Sequence, residues 1–225
     1  DTEADTWNMD PQALEKAFEM YPDVRLIVVA HLYGTPGKIE EIRRIADDHH
    51  ALIVEDAAES FCATYNGIQA GCFGEISILS MNGNKLVTGS SGGVLLTDIE
   101  AWANKARKWS TQSRENAPWY QHEELGYNYR MSNIIAGVIR GQLPYAEEHK
   151  AQKKMVYERY KEGLKGLPVK MNPVECVGAA IEPNYWLSCL IIDKDAMCPQ
   201  VRGEQDALYR SEPGKSCPTE ILEAL

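Results

Sequence analysis

Two short apolar runs separated by one amphipathic segment constrain this chain more than any other feature. Arg25-Leu26-Ile27-Val28-Val29-Ala30 and Ala51-Leu52-Ile53-Val54 lack the polar alternation of a strand with one wet face. Such runs are expected of strands buried on both faces of a parallel sheet. Between them Ile39, Ile42, Ile45 and Ala46 recur at helical spacing, with charged residues in the gaps. Strand, amphipathic helix and strand at this spacing make a βαβ unit. The expectation is therefore an α/β fold, a mostly parallel mixed sheet flanked by helices. Residues 76–80 and 92–97 read as two further strands. Their connector, Met81 to Ser91, is too short for a crossover helix, so an antiparallel fourth strand is expected.

Around this unit, Asp10-Pro11 supplies an N-cap carboxylate and a proline at the first helical position. Residues 132–164 carry a helical pattern that Pro144 should kink or split. After Gly166 the texture changes to short pieces: residues 169–171, 186–192 and 195–209. They read as part of a smaller α+β domain. The expected division is a large domain over residues 1–140, followed by a connecting helix and small domain over 141–225. The polar start at Asp1, without Met, and the stop inside a helix-like start at Pro218 suggest an internal piece of a longer protein, with both domains incomplete.

Composition narrows the partners. Against 23 Lys and Arg stand 33 Asp and Glu, a net charge of −10 with no basic stripe, which argues against nucleic acid. No apolar run approaches the ~20 residues that span a bilayer, so a cytoplasmic protein is expected. The cysteines, Cys62, Cys72, Cys176, Cys189, Cys198 and Cys217, form no CxxC pair, and no Cys or His pair has zinc-ligand spacing. His49 and His50 read as cations closing a helix C-terminus.

In open α/β sheets, ligands bind beyond the carboxyl ends of the strands. Three segments deliver polar residues there: Glu55-Asp56-Ala57-Ala58-Glu59, Ser80 through Lys85, and Thr88 through Gly93. A lysine at such an edge can condense with a carbonyl. An aspartate there can neutralise a heterocyclic cation, and a serine can donate to phosphate. Pyridoxal phosphate requires all three. The same residues also read as a capping Asp, a surface Lys and a turn on Asn82-Gly83. No GxGxxG, P-loop or Gly-x-Ser-x-Gly motif competes.

Five motifs, in order and spacing, resemble the DegT-type nucleotide-sugar aminotransferases, fold-type-I enzymes that use pyridoxal phosphate. They are His31-Leu32-Tyr33-Gly34, Val54 through Ser60, Ser80 through Lys85, Thr88-Gly89 with Gly92-Gly93, and Gly126 through Met131. The resemblance covers residues 8 to 165 well, and Asn184-Tyr185-Trp186-Leu187 is similar but less diagnostic. It implies that Lys85 carries the cofactor covalently and then moves the proton between substrate and cofactor. Asp56 would pair with the pyridinium nitrogen and Ser80 would bind the phosphate. Glu59 falls where family members often place a Gln near the ring hydroxyl. Asn128 would reach the phosphate of a neighbouring subunit's cofactor, implying a homodimer with shared active sites. The implied reaction moves an amino group, from glutamate, to a keto group of a nucleotide-linked deoxy sugar, as in the biosynthesis of cell-surface polysaccharides. The family's dehydratases, which replace the lysine, are disfavoured by Lys85. His31 is expected to order its loop, Thr88 and Gly89 to let the backbone turn near the cofactor, and Tyr127 and Tyr129 to pack at an interface. In the family, a segment lying before Asp1 supplies further phosphate donors and a stacking aromatic. The alternatives are a non-catalytic regulator on the same fold and a nucleotide-binding oxidoreductase.

Overall fold

The computed structural model describes residues 1–172, 180–199 and 212–224. Its elements run α1 (Pro11–Met20), β1 (Leu26–Ala30), α2 (Ile39–Asp48), β2 (Leu52–Asp56), β3 (Thr64–Tyr65), β4 (Ile68–Gln69), β5 (Ile76–Ser80), β6 (Gly93–Leu96), α3 (Glu100–Ser110), α4 (Asn133–Gln142), α5 (Ala146–Gly163), β7 (Val169–Asn172), β8 (Ile181–Glu182), β9 (Cys189–Ile192) and α6 (Pro218–Ala224).

The main sheet has the order β1-β2-β5-β6, with β1, β2 and β5 parallel and β6 antiparallel to β5. The βαβ unit and the reversed fourth strand therefore form as expected. Between β2 and β5 there is no crossover helix; β3 and β4 make a hairpin instead, paired Thr64 to Gln69 and Tyr65 to Ile68. Its two-residue loop is Asn66-Gly67, with φ of 49° and 78°. Such a loop takes positive φ at both positions, which Asn and Gly supply at low cost.

Alternation along the strands sets the core. Ile27, Val29 and Ile53 point to one face and pack with Phe18 of α1 and with Ile39, Ile42, Ile45 and Ala46 of α2. Each fully buried isoleucine contributes about 2 kcal/mol relative to exposure. The charged side of α2 stays wet, with Arg44 Nη1 at 3.1 Å from Asp48. On the opposite face Leu26, Val28, Leu52, Ile78 and Leu95 are 37–58% exposed. Burial on both faces, expected from the apolar runs, is thus corrected: within this chain the strands are covered on one face. No described helix is long and apolar enough to cross a membrane.

Local signals act where the residue types predict. Asp10 accepts from Gln12 N–H at 2.9 Å, with Pro11 opening α1. Ser132 caps α4, and Pro144 separates α4 from α5 through a 3₁₀ turn over Leu143–Tyr145. His49 caps α2, its ring stacked on Phe18 at 4.1 Å between centroids. The expected pieces after Gly166 appear as β7 paired with β9. Strand β8 instead joins β3, Thr64 opposite Glu182, so the last part of the chain also adds to the first. Helix α3 went unread in the sequence because no clean apolar stripe marks it; none of its residues is buried. Of the segment 195–209, Lys194–Ala196 opens with a 3₁₀ turn. Residues 200–209 and Cys176 lie outside the described residues.

Candidate active site

Asp56 ends β2, and its register with Ala30 and Ile78 puts it on the open face of the sheet. Its Oδ1 accepts from Ala58 N–H at 3.1 Å. Among the described residues Oδ2 has no partner, which leaves an acceptor free. Ser80, two residues past Ile78 on the neighbouring strand, lies on the same face. Ser80 Oγ accepts from Asn82 N–H at 3.3 Å, and among the described residues its own proton has no acceptor.

Lys85 follows a turn closed by its N–H on Asn82 O at 3.1 Å. Its side chain is 13% exposed, with Nζ 3.7 Å from Glu59 Oε1. The same ammonium lies 4.0 Å from the Trp186 ring centroid, a cation–π contact. Glu59 is aimed from the other side, where Oε2 accepts from Tyr33 N–H at 2.8 Å. Tyr33 holds a left-handed φ of 56° to present that N–H. Two contacts thus join Lys85, Glu59 and Trp186, while sheet register joins Asp56 and Ser80.

Glu55 is a correction. Expected with its neighbours at the polar edge, it points by strand alternation to the covered face and is fully buried. Its carboxylate accepts from His31 Nε2 at 2.9 Å, Phe73 N–H at 2.8 Å, Gly74 N–H at 3.0 Å, Ser77 Oγ at 3.2 Å and Gly71 N–H. Burial pushes this carboxyl up, but the His31 hydrogen bond and charge and the Gly71 and Phe73 amides outweigh it. The net position is below the ordinary carboxylate range. His31 Nδ1 accepts from Gly37 N–H at 3.1 Å, so the imidazole, held at both nitrogens, orders its loop as expected.

Two residues that sequence reasoning left out of the site complete its wall. Buried Asn184 donates to Glu59 O at 2.7 Å and Phe61 O at 2.8 Å, and its Oδ1 accepts from Trp186 N–H at 2.9 Å. Trp186 Nε1 donates to Asn84 O at 2.7 Å, pinning the indole beside the Lys85 turn. Gly34 explains one glycine of the first motif: a Cβ there would lie 1.8 Å from Asn184 Oδ1. No local pattern could announce a pairing 125 residues apart.

Asn128 is not brought to this cluster by any contact. It is exposed and bridges to Thr111, in the wall of a separate cavity. Tyr127 and Tyr129 stack on each other at 5.0 Å and remain 45% and 75% exposed. Thr88 is tied to the end of α4, its N–H donating to Gln142 Oε1 at 3.2 Å. Gly89 has no left-handed φ; a Cβ would sit 2.7 Å from Ile135 Cγ2. Its smallness makes room for α4, which corrects the expectation that it eases a turn.

A free carboxylate oxygen, a free hydroxyl proton and a shielded lysine fit the chemistry of pyridoxal phosphate, which needs a partner for its ring nitrogen, a donor for its phosphate and an amine for its aldehyde. Sheet order, register and this edge define the class, an α/β fold of the aminotransferase type. The solved sugar aminotransferase CalS13 from Micromonospora echinospora matches with a TM-score of 0.75 and 25% identity, covering 87% of this chain and 55% of its own. The chain belongs to the DegT/DnrJ/EryC1/StrS aminotransferase family, whose model matches residues 1–208. EpsN of Bacillus subtilis (strain 168), assigned as a pyridoxal phosphate-dependent aminotransferase, is 41% identical over 198 residues, 86% of this chain and 50% of EpsN. GDP-perosamine synthase of Escherichia coli O157:H7 is 32% identical over 167 residues, 74% of this chain and 45% of that enzyme. The chain therefore spans about half the length of the curated relatives it matches.

Proposed function

We propose that this chain carries the lysine-bearing half of the site of a pyridoxal phosphate-dependent aminotransferase. Its reaction moves an amino group from glutamate to the keto group of a nucleotide-linked deoxy sugar. The donor leaves as its 2-oxo acid and the sugar's carbonyl becomes an amine, so two half-reactions balance without an outside oxidant. The carrying observation is Lys85, its side chain 13% exposed between Glu59 and Trp186 at the edge that bears Asp56 and Ser80. When bound, the cofactor supplies an electron sink for the substrate carbon.

The chain's own groups do the rest. Lys85 Nζ would hold the cofactor through its carbonyl carbon and would move the proton at the reacting carbon. Asp56 would hold the proton of the ring nitrogen, and Ser80 would donate its hydroxyl proton to the phosphate. Glu59, already anchored by Tyr33 N–H, orients Lys85 Nζ. Asn128, exposed and away from this cluster, serves a partner subunit's cofactor phosphate in a homodimer. The exposed Trp119, Tyr120 and Tyr129 on the same segment support that interface. A large domain over residues 1–140, a connecting helix and small domain over 141–225, and a cytoplasmic role in surface-polysaccharide synthesis belong to the same reading.

The test is turnover of a nucleotide-linked keto sugar with glutamate by the homodimer, wild type against Lys85→Arg. Loss of at least about a thousandfold is expected when the group that both binds and moves the proton is removed. Retention of wild-type turnover would refute the mechanism.

A further inference from the structure

Cysteines in a chain without a zinc pattern act by default as small buried hydrophobes. Two of those in this chain are placed differently. Ser216 N–H donates to Ala196 O at 3.0 Å and Cys198 N–H to Ser216 O at 2.9 Å, a parallel bridge of Met197 with Ser216. One residue further along each segment, Cys198 and Cys217 stand opposite each other. Successive side chains of an extended segment alternate in direction, so both thiols leave on the face away from Met197 and Ser216. Burial agrees: Cys198 is 1% and Cys217 5% exposed, while Met197 and Ser216 are only half-buried. Neighbouring extended segments lie about 4.8 Å apart, inside the roughly 4.4–6.8 Å between Cα atoms that a disulfide spans. Both cysteines are free thiols in this structure.

Among the described residues no other register sets two cysteines face to face. Cys189 is opposite Asn172 on β7, and Cys62 and Cys72 lie outside the strands. Burial also pushes the Cys62 and Cys189 thiols up to about 11, which keeps them protonated and unreactive at neutral pH. The place of the opposed pair gives a bond between them something to do. Cys217 O accepts from Ile221 N–H at 3.2 Å in the first turn of α6. No residue of α6 is buried. Between that helix and β9 lies a cavity of about 660 Å³, lined by Leu190, Ile192, Met197, Pro218, Ile221 and Leu222. Met197 and Pro218 adjoin the two cysteines, so a covalent tie there fixes one end of a loosely packed helix. Forming it gives up one weak contact, Glu220 N–H on Cys217 Sγ at 3.5 Å.

We propose that Cys198 and Cys217 are a redox-modification site, oxidised by a small-molecule disulfide of the glutathione class to an intramolecular disulfide that staples α6 to the segment after β9. One cysteine, as thiolate, attacks a sulfur of the small disulfide and releases one small thiol. The other then attacks the mixed disulfide at the protein sulfur and releases the second. Two protein thiols are oxidised, one small disulfide is reduced to two thiols, and the two protein protons end on the departing thiols. An excess of reduced small thiol reverses both steps.

The test treats the whole protein with oxidised glutathione in two ways: folded, and during refolding from urea in a glutathione redox buffer, where burial no longer limits access. Free thiols are then alkylated, and digests made without reductant are mapped by mass spectrometry. One dominant linked peptide, Cys198 to Cys217, is expected from the refolded sample at least, and dithiothreitol should remove it. Closing the loop between residues 198 and 217 should raise the melting temperature by at least about 5 °C over the reduced protein. Cys198→Ser and Cys217→Ser should each abolish the linked peptide and the shift, leaving the remaining cysteine as a mixed disulfide with glutathione. Free thiols at both positions after both treatments, with circular dichroism intact, would overturn the proposal. So would a bond from either cysteine to Cys176 or to any other cysteine, or a linked peptide that leaves the melting temperature unchanged.

Discussion

Glu55→Ala is the most demanding perturbation of the scaffold that presents Asp56. The substitution removes one carboxylate that accepts from His31, Gly71, Phe73, Gly74 and Ser77 in a fully buried place. A buried donor left unpaired costs about 1–3 kcal/mol. Water entering the vacated space recovers part of five such losses, so the net cost expected is about 3–5 kcal/mol, the range for breaking a buried charged network. At about 2–4 °C per kcal/mol for a chain of this size, the melting temperature should fall by about 6–20 °C. Glu55→Gln keeps one acceptor oxygen but turns an NH₂ toward N–H groups, so it should fall between wild type and Ala. Urea unfolding followed by circular dichroism measures both. The folded carboxyl titrates below its ordinary value of 4.5, so the unfolded state binds the proton more readily. The carboxylate's stabilisation is therefore complete above that value and is lost as pH falls through the lower, folded one. The gap between wild type and Glu55→Gln should narrow only in that acid range. An alanine variant within about 1 kcal/mol of wild type at neutral pH would refute the reasoning.

Two further outcomes follow from the same geometry. Val28 is 58% exposed and Val29 fully buried, so Val28→Asp should stay within about 1 kcal/mol while Val29→Asp costs at least about 4 kcal/mol and collapses soluble yield; melting curves of the pair decide it. Asn184→Ala removes three buried hydrogen bonds, should cost about 2–4 kcal/mol, and should free the Trp186 segment from the Lys85 turn, which faster modification of Lys85 by amine reagents would report.

What was legible in the sequence was local. Apolar runs, the Asp10-Pro11 start, the Pro144 break and the short connector into β6 each rest on a few neighbouring residues, and each appears. Asn66-Gly67 was equally local, a hairpin signal flanked by Tyr65 and Ile68 that went unread. The alternation that sends Glu55 inward and Asp56 outward was also available, since adjacent strand residues face opposite sides. The Lys85, Glu59 and Trp186 cluster was only half legible. Asn184 joins it through main-chain oxygens of Glu59 and Phe61, and hydrogen bonds to a backbone leave no trace in the partner's residue type.

The central claim is that Lys85 is the cofactor's anchor, and reductive trapping tests it most directly. The protein is saturated with pyridoxal phosphate, reduced with borohydride, digested and mapped by mass spectrometry. The account predicts one dominant adduct, on Lys85, lost in Lys85→Arg with the fold intact. Adducts spread over other lysines with Lys85 unmodified would contradict it.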